Sequence, residues 1–384
     1  MTVPIPLVSE RLGEIQLVLL ERKIEGWLLS DHRGQNPLAL RALGISGETL
    51  RRVFYWLPAE GMPVLIADAM ELRTMPELPG ETLAYTGWAE LRRALDRTLP
   101  TRGAIAMEHA TVAASPDVSR VEAGTVGLVA SYGATVVPSI DLVNAFIGTL
   151  RDHEIASLRT SMAALRTIRD EGMRTILETV ESELHAAIAA QVTTAGLTLV
   201  RAMVTSGEST RDWPRQPGTR TMAKGEHALV DLFAREGDGP CAHLSFVLAR
   251  GDAPEARKAL ADACDARDAA IELVGTRLRR HERLLGFEVD DAARAVLARQ
   301  GRKAAIRHRT GSHIGRIPFS GEACSFDSLE LEDTRAALPG HAWSVHPGVY
   351  DETSGVRAHG VILAGTDGIE VLDLGPREPI QLAG

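Results

Sequence analysis

The C-terminal part of the chain concentrates residues that can do metal or acid–base chemistry. They are one aspartate and five histidines: Asp231, His243, His308, His313, His346 and His359. Imidazole nitrogens and carboxylate oxygens bind transition metals, and a histidine ring also exchanges a proton near neutral pH. Most of these residues lie on short alternating stretches that are typical of strands. We therefore expect a functional site wherever the fold brings them together.

Three short segments carry most of this chemistry, and each of them contains glycine. They are residues 308–315 with two histidines, residues 343–350 with His346, and residues 355–359 with Arg357 and His359. Glycine-containing turns between short strands predict a set of closing strands in this region. Asp231 and His243 lie upstream, on two alternating stretches at residues 228–233 and 241–248 that look like a strand pair.

Composition excludes several classes of protein. The chain has 384 residues, of which 45% are hydrophobic and 24% are charged, and its net charge is −9. The negative charge argues against a nucleic-acid partner, since phosphate binding needs clustered Lys and Arg. No apolar run is long enough for a membrane helix. Met1–Pro6 lacks the basic region and the apolar region of a signal peptide. A cytoplasmic location is therefore expected. Three scattered cysteines predict neither a disulfide framework nor a cysteine-based zinc site.

The length predicts two domains, with a boundary near residue 150. Residues 1–150 alternate helical and strand-like patterns, which predicts a small α/β domain. A helix is expected over residues 9–24, followed by strands near 24–30, 53–57, 63–67 and 103–107, a helix over 91–99, and a closing helix and strand over 121–137.

Residues 151–384 begin with a segment, 152–194, that is helical in period throughout, with a bend or break expected inside it. The strand pair at 228–248 follows, then two helices over 254–278 and 289–300, and finally the short strands described above. Strands, helices and strands in this order predict an α+β domain.

The chain resembles the creatinase, aminopeptidase P and prolidase family over nearly its whole length. Four motifs of the second domain match in order and nearly in spacing: Val230-Asp231-Leu232, His308-Arg309-Thr310-Gly311, His346-Pro347-Gly348-Val349-Tyr350 and Gly355-Val356-Arg357. The resemblance implies a pita-bread catalytic domain after a smaller N-terminal α/β domain, a homodimer, and a small-molecule or dipeptide-like substrate.

Peptidases of that family hold two divalent metals with two Asp, one His and two Glu, and this chain departs from the pattern. Asp231 keeps the first Asp, whereas His243, His346 and His359 occupy positions of the other carboxylates. Ser312 stands at the ligand His position, with His313 one residue beyond it. Residues 186–226 contain no histidine, so the upstream catalytic His is missing, and Trp213 lies in that region.

These replacements change the expected metal chemistry. Carboxylates neutralise two dications and bridge them, whereas a neutral imidazole binds one metal through one nitrogen. A standard dinuclear Mn or Co site is therefore not expected. Asp231, His243, His346 and His359 form a predicted ligand set for at most one Zn²⁺, Fe²⁺, Mn²⁺ or Cu²⁺ ion. The resemblance implies catalytic or substrate-binding roles for His308, His313 and Arg357.

Three functions remain open from the sequence. The first is a hydrolase of a small amide, imino-acid or amidine-type substrate that uses one metal, or none with a histidine as acid and base. The second is a non-hydrolytic enzyme with one metal on three histidines. The third is an inactive pseudo-peptidase that acts as a binding module.

Overall fold

A computed structural model describes residues 5–47, 49–110 and 116–382. The first four residues, on which part of the signal-peptide prediction for Met1–Pro6 rests, lie outside these ranges. The chain divides into two compact units, Met1–Gly148 and Thr149–Gly384.

The first unit is built on one six-stranded sheet with the strand order β4-β3-β2-β1-β5-β6. Its strands are β1 Gly26–Asp31, β2 Val53–Pro58, β3 Val64–Asp68, β4 Glu81–Tyr85, β5 Ala104–Met107 and β6 Thr135–Pro138. Its helices are α1 Leu7–Glu10, α2 Leu12–Glu21, α3 Pro37–Leu43, α4 Trp88–Thr98, α5 Ala123–Ala130 and the single turn α6 Ile140–Leu142, which continues as a π-helical turn over Val143–Ile147.

The α/β prediction for this unit is confirmed, although helices α3 and α6 were not expected, and two further details differ. The helix expected over residues 9–24 is interrupted at Arg11, which separates α1 from α2. Strand β4 was not expected from the sequence. It lies at the edge of the sheet with most of its residues exposed, so its sequence lacks the apolar alternation by which a half-buried strand is recognised.

The second unit combines two four-stranded sheets, one hairpin and four long helices. Its strands are β7 Thr198–Ser206, β8 His227–Arg235, β9 Ala242–Ala249, β10 Gly311–His313, β11 Ala342–Val345, β12 Gly348–Tyr350, β13 Gly355–Arg357, β14 Gly360–Gly365, β15 Gly368–Leu374 and β16 Ile380–Gln381. Its helices are α7 Asp152–Asp170, α8 Glu181–Thr194, α9 Pro254–Arg279 and α10 Gly286–Arg299, with 3₁₀ turns at Gly172–Thr175, Gly207–Asp212 and Lys303–Ala305.

The expected break in the long helical segment lies between α7 and α8. Gly172 begins the 3₁₀ turn that follows α7, and a Cβ atom there would lie 2.0 Å from the Gln191 side-chain oxygen. Glycine permits this close approach of the turn to α8, and the chain reverses after it. The pair of helices then covers one face of the neighbouring sheet.

The two sheets have the strand orders β16-β9-β8-β7 and β10-β11-β14-β15. Alternation along β8 sends Val230 and Leu232 into the apolar core beneath α7 and α8. Leu229 belongs instead to the core beneath α9 and α10, and Asp231 lies on its side of the strand. Asp231 is thereby aimed into the same layer as Leu229, away from the core beneath α7 and α8.

Among the described residues, no helix is long and apolar enough to cross a membrane.

A bidentate ion pair closes the loop before β8. Arg220 Nη2 and Nη1 donate to Glu226 Oε1 and Oε2 at 2.7 and 2.8 Å, and this pairing lowers the pKa of Glu226 to about 2. A carboxyl group whose pKa is lower in the folded state stabilises the fold above its unfolded pKa. That contribution is lost as the pH falls from about 4.5 towards 2.

We predict that Glu226→Gln lowers the free energy of unfolding at pH 7 by about 1 to 2 kcal/mol, a value reduced for the partial exposure of the pair. The difference from the unmodified protein should shrink as the pH falls below 4.5, as measured by urea unfolding at several pH values. Exposed Glu378 provides the control as Glu378→Gln. A difference in the free energy of unfolding that stays constant down to pH 2.5 would contradict the lowered pKa of Glu226.

Candidate functional site

Strands β8 and β9 bring Asp231 and His243 into direct contact. Phe233 and His243 are paired across the two strands, and Asp231 lies two residues before Phe233 on the same face. The His243 Nε2–H group donates to Asp231 Oδ1 at 2.7 Å, because a carboxylate can only accept. Both side chains are fully buried, and the Phe233 ring stacks on the His243 ring at 4.1 Å.

A buried arginine supplies the positive charge beside this carboxylate. Arg357, at the end of β13, donates from Nη1 to the same oxygen, Asp231 Oδ1, at 2.7 Å. Neither side chain of this ion pair is exposed. The Trp213 ring covers the guanidinium at 3.5 Å, in the range of a cation–π contact.

Behind His243, hydrogen bonds continue as a row into the second sheet. His243 Nδ1 accepts from the Ser344 hydroxyl at 2.5 Å, and Ser344 Oγ lies 3.4 Å from His359 Nε2. His359 Nδ1–H donates to Asp373 Oδ2 at 3.1 Å. Arg169 Nη1 binds both oxygens of Asp373, at 2.8 and 2.9 Å. The row therefore begins at one buried arginine–aspartate pair and ends at another.

His346 has an unusual environment within this cluster. It is buried, its ring centroid lies 5.4 Å from that of His243 and 5.7 Å from that of His308, and neither of its ring nitrogens has a hydrogen-bond partner. His308 is half-buried and is fixed on both sides. Its Nδ1–H donates to the Arg309 carbonyl at 2.8 Å, and its Nε2 accepts from the Tyr350 hydroxyl at 2.9 Å.

Two half-buried aromatic rings lie over the cluster. Phe319 approaches His243 and His346 edge-on at 6.0 Å each, and Trp213 lies 6.2 Å from Phe319. Phe319 has a φ of 55°, in the left-handed region that non-glycine residues rarely adopt. The loop between β10 and β11 thus holds Phe319 over the histidines in a strained conformation.

Burial controls the protonation of the histidines. It lowers the pKa of His308 to about 3 and that of His359 to about 4. Burial and the Arg357 charge hold the pKa of His346 well below its usual range, and burial lowers that of His243 against the pull of Asp231. Burial alone would raise the pKa of Asp231, but Arg357 and His243 outweigh it and hold it below its ordinary value. At neutral pH the cluster therefore contains a carboxylate, a guanidinium and neutral imidazoles.

The fold brings six of the seven residues singled out from the sequence into this cluster: Asp231, His243, His308, His346, Arg357 and His359. His313 lies apart. On β10 it pairs with Trp343, and its ring lies 5.8 Å from that of His341. Ser312 pairs with Ser344 and therefore shares the face of the sheet that carries the row, whereas His313 occupies the other face.

Sequence reasoning missed the residues that complete the cluster. Ser344, Asp373 and Arg169 were not assigned a role, nor were the covering rings of Phe233 and Phe319. One of them carried a usable signal. Arg169 falls on the apolar stripe of α7, four residues after Leu165, so a buried acidic partner was to be expected for it.

Comparisons with known proteins identify the family. A model of metallopeptidase family M24 matches residues 156–366, more than half of the chain. The chain belongs to metallopeptidase family M24. No curated protein matches the chain.

The fold has close counterparts among solved structures. The chain is similar to dipeptidase PepE from Mycobacterium ulcerans, with a TM-score of 0.78 and 19% identity over 98% of each chain. It is similar to a dipeptidase from Pyrococcus horikoshii OT3, with a TM-score of 0.74 and 21% identity over 97% of this chain and 100% of that one. It is also similar to a prolidase from Thermococcus sibiricus, with a TM-score of 0.73 and 17% identity over 100% of each chain. These likenesses confirm the pita-bread fold.

The M24 family implies a divalent metal, and the donor atoms of this cluster do not fit one. Within the described ranges, no group of three or more His, Cys, Asp or Glu residues is arranged to hold an ion. Both ring nitrogens of His243 and the Nδ1 atom of His359 are engaged in hydrogen bonds, and Asp231 Oδ1 is shared by two donors. The Arg357 and Arg169 charges already balance Asp231 and Asp373, so a dication would bring charge that the cluster does not neutralise.

We predict that Arg357→Met lowers the free energy of unfolding by about 3 to 5 kcal/mol, because it leaves Asp231 buried without a cation. The double variant Asp231→Asn/Arg357→Met should recover part of that loss, as measured by denaturant unfolding. Arg159→Met, which breaks the exposed pair with Glu370, is the control and should change little. If the effects of Asp231→Asn and Arg357→Met on the free energy of unfolding simply add in the double variant, the ion pair does not carry the stability.

Proposed function

We propose that this protein is a metal-independent hydrolase of a small amide or imino-acid substrate, in which His346 moves the proton. The observation that supports the proposal is the His346 ring itself, which is buried, neutral and without a partner on either nitrogen. A general base must be unprotonated and free to meet its proton. Of the histidines gathered in the cluster, His346 meets both conditions.

The proton balance of the proposed reaction needs this one residue. His346 takes a proton from water as the water oxygen bonds to the amide carbon. It returns that proton to the leaving nitrogen as the carbon–nitrogen bond breaks, which yields a carboxylic acid and an amine, and the acid then passes its proton to the amine to give a carboxylate and an ammonium group. His308 and Arg357 lie beside it and are assigned to substrate binding. His313, on the other face of its strand, has no part in the proposal.

The charge balance of the cluster supports the metal-free form of the mechanism. Arg357 stands next to Asp231 with its full charge, so the carboxylate does not need a metal to be stable in the interior. The alternative with one metal on three histidines is less favoured, because His243 would have to break its hydrogen bond to Asp231 or to Ser344 before it could bind an ion.

A second candidate is a binding module without turnover. The absence of any histidine from residues 186–226 favours it, since family peptidases place an upstream catalytic histidine there. The covering rings of Trp213 and Phe319 also suit a site that holds a ligand away from water. The two candidates differ in turnover and not in binding.

The proposal includes the cytoplasmic location expected from the sequence and the homodimer that the family resemblance implies. Light scattering on the purified protein measures its oligomeric state, and a monomer at micromolar concentration would exclude the homodimer. The same preparation serves for elemental analysis, in which the metal-free mechanism requires far less than one transition-metal ion per chain.

We predict that dipeptides and small amides, Xaa-Pro dipeptides included, are hydrolysed at the same rate with and without a strong chelator. His346→Gln should lower kcat by about 100-fold or more, the usual contribution of a general acid–base residue. His341→Gln replaces a buried histidine outside the cluster and is the matched control. Turnover that disappears with the chelator and returns with Mn²⁺ would overturn the metal-free mechanism, and binding without turnover would favour the binding module.

A further inference from the structure

The reactive side chains of the cluster are closed off from solvent. At most 2% of the surface is exposed in each of four residues, Asp231, His243, His346 and Arg357. His346 therefore meets no solute in this conformation. A solute that reaches it has to displace a covering group, and two rings cover the cluster, those of Trp213 and Phe319.

The two covering rings are held with different strength. Trp213 lies on the buried guanidinium of Arg357 at 3.5 Å. Phe319 meets the Phe233 ring edge-on at 4.9 Å and approaches the His346 ring only to 6.0 Å. A cation–π contact away from water is stronger than an edge-on contact between two rings. Phe319 is therefore the cover that separates more easily.

The loop that carries Phe319 is narrow at its base. The Gly315 carbonyl accepts from the Cys241 N–H group at 2.7 Å, and Ser320 forms a β-bridge with His313. Gly315 and Ser320 lie so close that a Cβ atom on the glycine would be 2.4 Å from the serine hydroxyl oxygen. Residues 316–319, the gate segment, therefore leave and re-enter the fold at almost the same point.

Little holds the gate segment beyond its base. Arg235 Nη1 donates to the Arg316 carbonyl at 3.3 Å. Ile317, Pro318 and Phe319 take part in no hydrogen bond between described residues. The Ile317 side chain at the tip is 57% exposed. Segments with few backbone hydrogen bonds and few buried contacts open locally at a low cost in free energy.

The backbone of Phe319 favours opening, whereas its ring favours closure. A φ of 55° is rare for a bulky aromatic residue, and a return to the extended region relieves the strain. The ring contacts with Phe233 and with the Arg201 guanidinium, 5.9 Å away, are lost in the same movement. Strain and ring contacts are of the same order of magnitude, so neither conformation excludes the other.

We propose that the gate segment is a lid on the cluster and that the Phe319 ring closes it. In the closed conformation the ring packs against Phe233 and shields His346. In the open conformation φ of Phe319 returns to the extended region, and the ring moves towards solvent with Ile317. The base at Gly315 stays in place. Such a lid serves a hydrolase and a binding module equally.

Diethyl pyrocarbonate attacks neutral imidazole rings, so it measures access to each histidine. Its reaction with the full chain at neutral pH is followed by peptide mass mapping. Exposed His153 gives the unhindered rate, and His341, buried outside the cluster, gives the rate of wider unfolding. His346 should react more than about 10-fold slower than His153 and more than about 10-fold faster than His341, since local opening of the lid exposes it.

Phe319→Ala removes the ring contacts and should raise the rate at His346 by about 10-fold or more, with the rates at His153 and His341 unchanged. Phe287→Ala, at another half-buried phenylalanine of the second unit, is the matched control and should leave all three rates unchanged. If Phe319→Ala also raises the rate at His341, its fold is loosened and Phe319→Trp takes its place. The larger ring should slow the reaction at His346 relative to His153.

Three results would overturn the lid. A rate at His346 equal to that at His153 in the unmodified protein would show an open site. A rate no higher than that at His341 would make the ring a permanent cover. A rate that the substitution of Phe319 leaves unchanged would show that the ring does not control access. None of these rates depends on turnover, so the lid and the hydrolase can fail separately.

Discussion

The ion pair between Arg357 and Asp231 is the interaction on which the interior of the second unit depends. It places a permanent cation beside a permanent carboxylate, with no exposure of either side chain. The cost of burying such charges is recovered only when each finds a partner of opposite sign and further hydrogen bonds. Asp231 meets this condition through both Arg357 and His243.

The second arginine–aspartate pair, Arg169 with Asp373, gives the row of hydrogen bonds a fixed end. Because Asp373 holds the proton of His359 on Nδ1, the Nε2 atom of that ring faces Ser344 as an acceptor. The Ser344 hydroxyl has one proton, and the shorter contact assigns it to His243. The Asp231 carboxylate can only accept, so it fixes the His243 proton on Nε2, while His346 beside it has no such partner.

The resemblance of four motifs to a known family predicted the fold and implied which residues would share one site. Strand alternation adds a physical reason for their orientation, because it decides which face a residue occupies. The same alternation explains why His313, one residue after Ser312, lies on the other face. What the sequence did not reveal was which donor each ring nitrogen meets, since that depends on side-chain positions within a few tenths of an ångström. Asp373 lies 204 residues from Arg169 along the chain, so no local pattern connects the two.

The balanced charges of the cluster also constrain its evolution. Restoring glutamate at His346 alone would add a third carboxylate to an interior with two arginines, and removing Arg357 alone would leave Asp231 unpaired. Either single replacement is therefore expected to lower the stability of the protein. The cluster tolerates a change of charge at one strand only when a second strand supplies the compensating change.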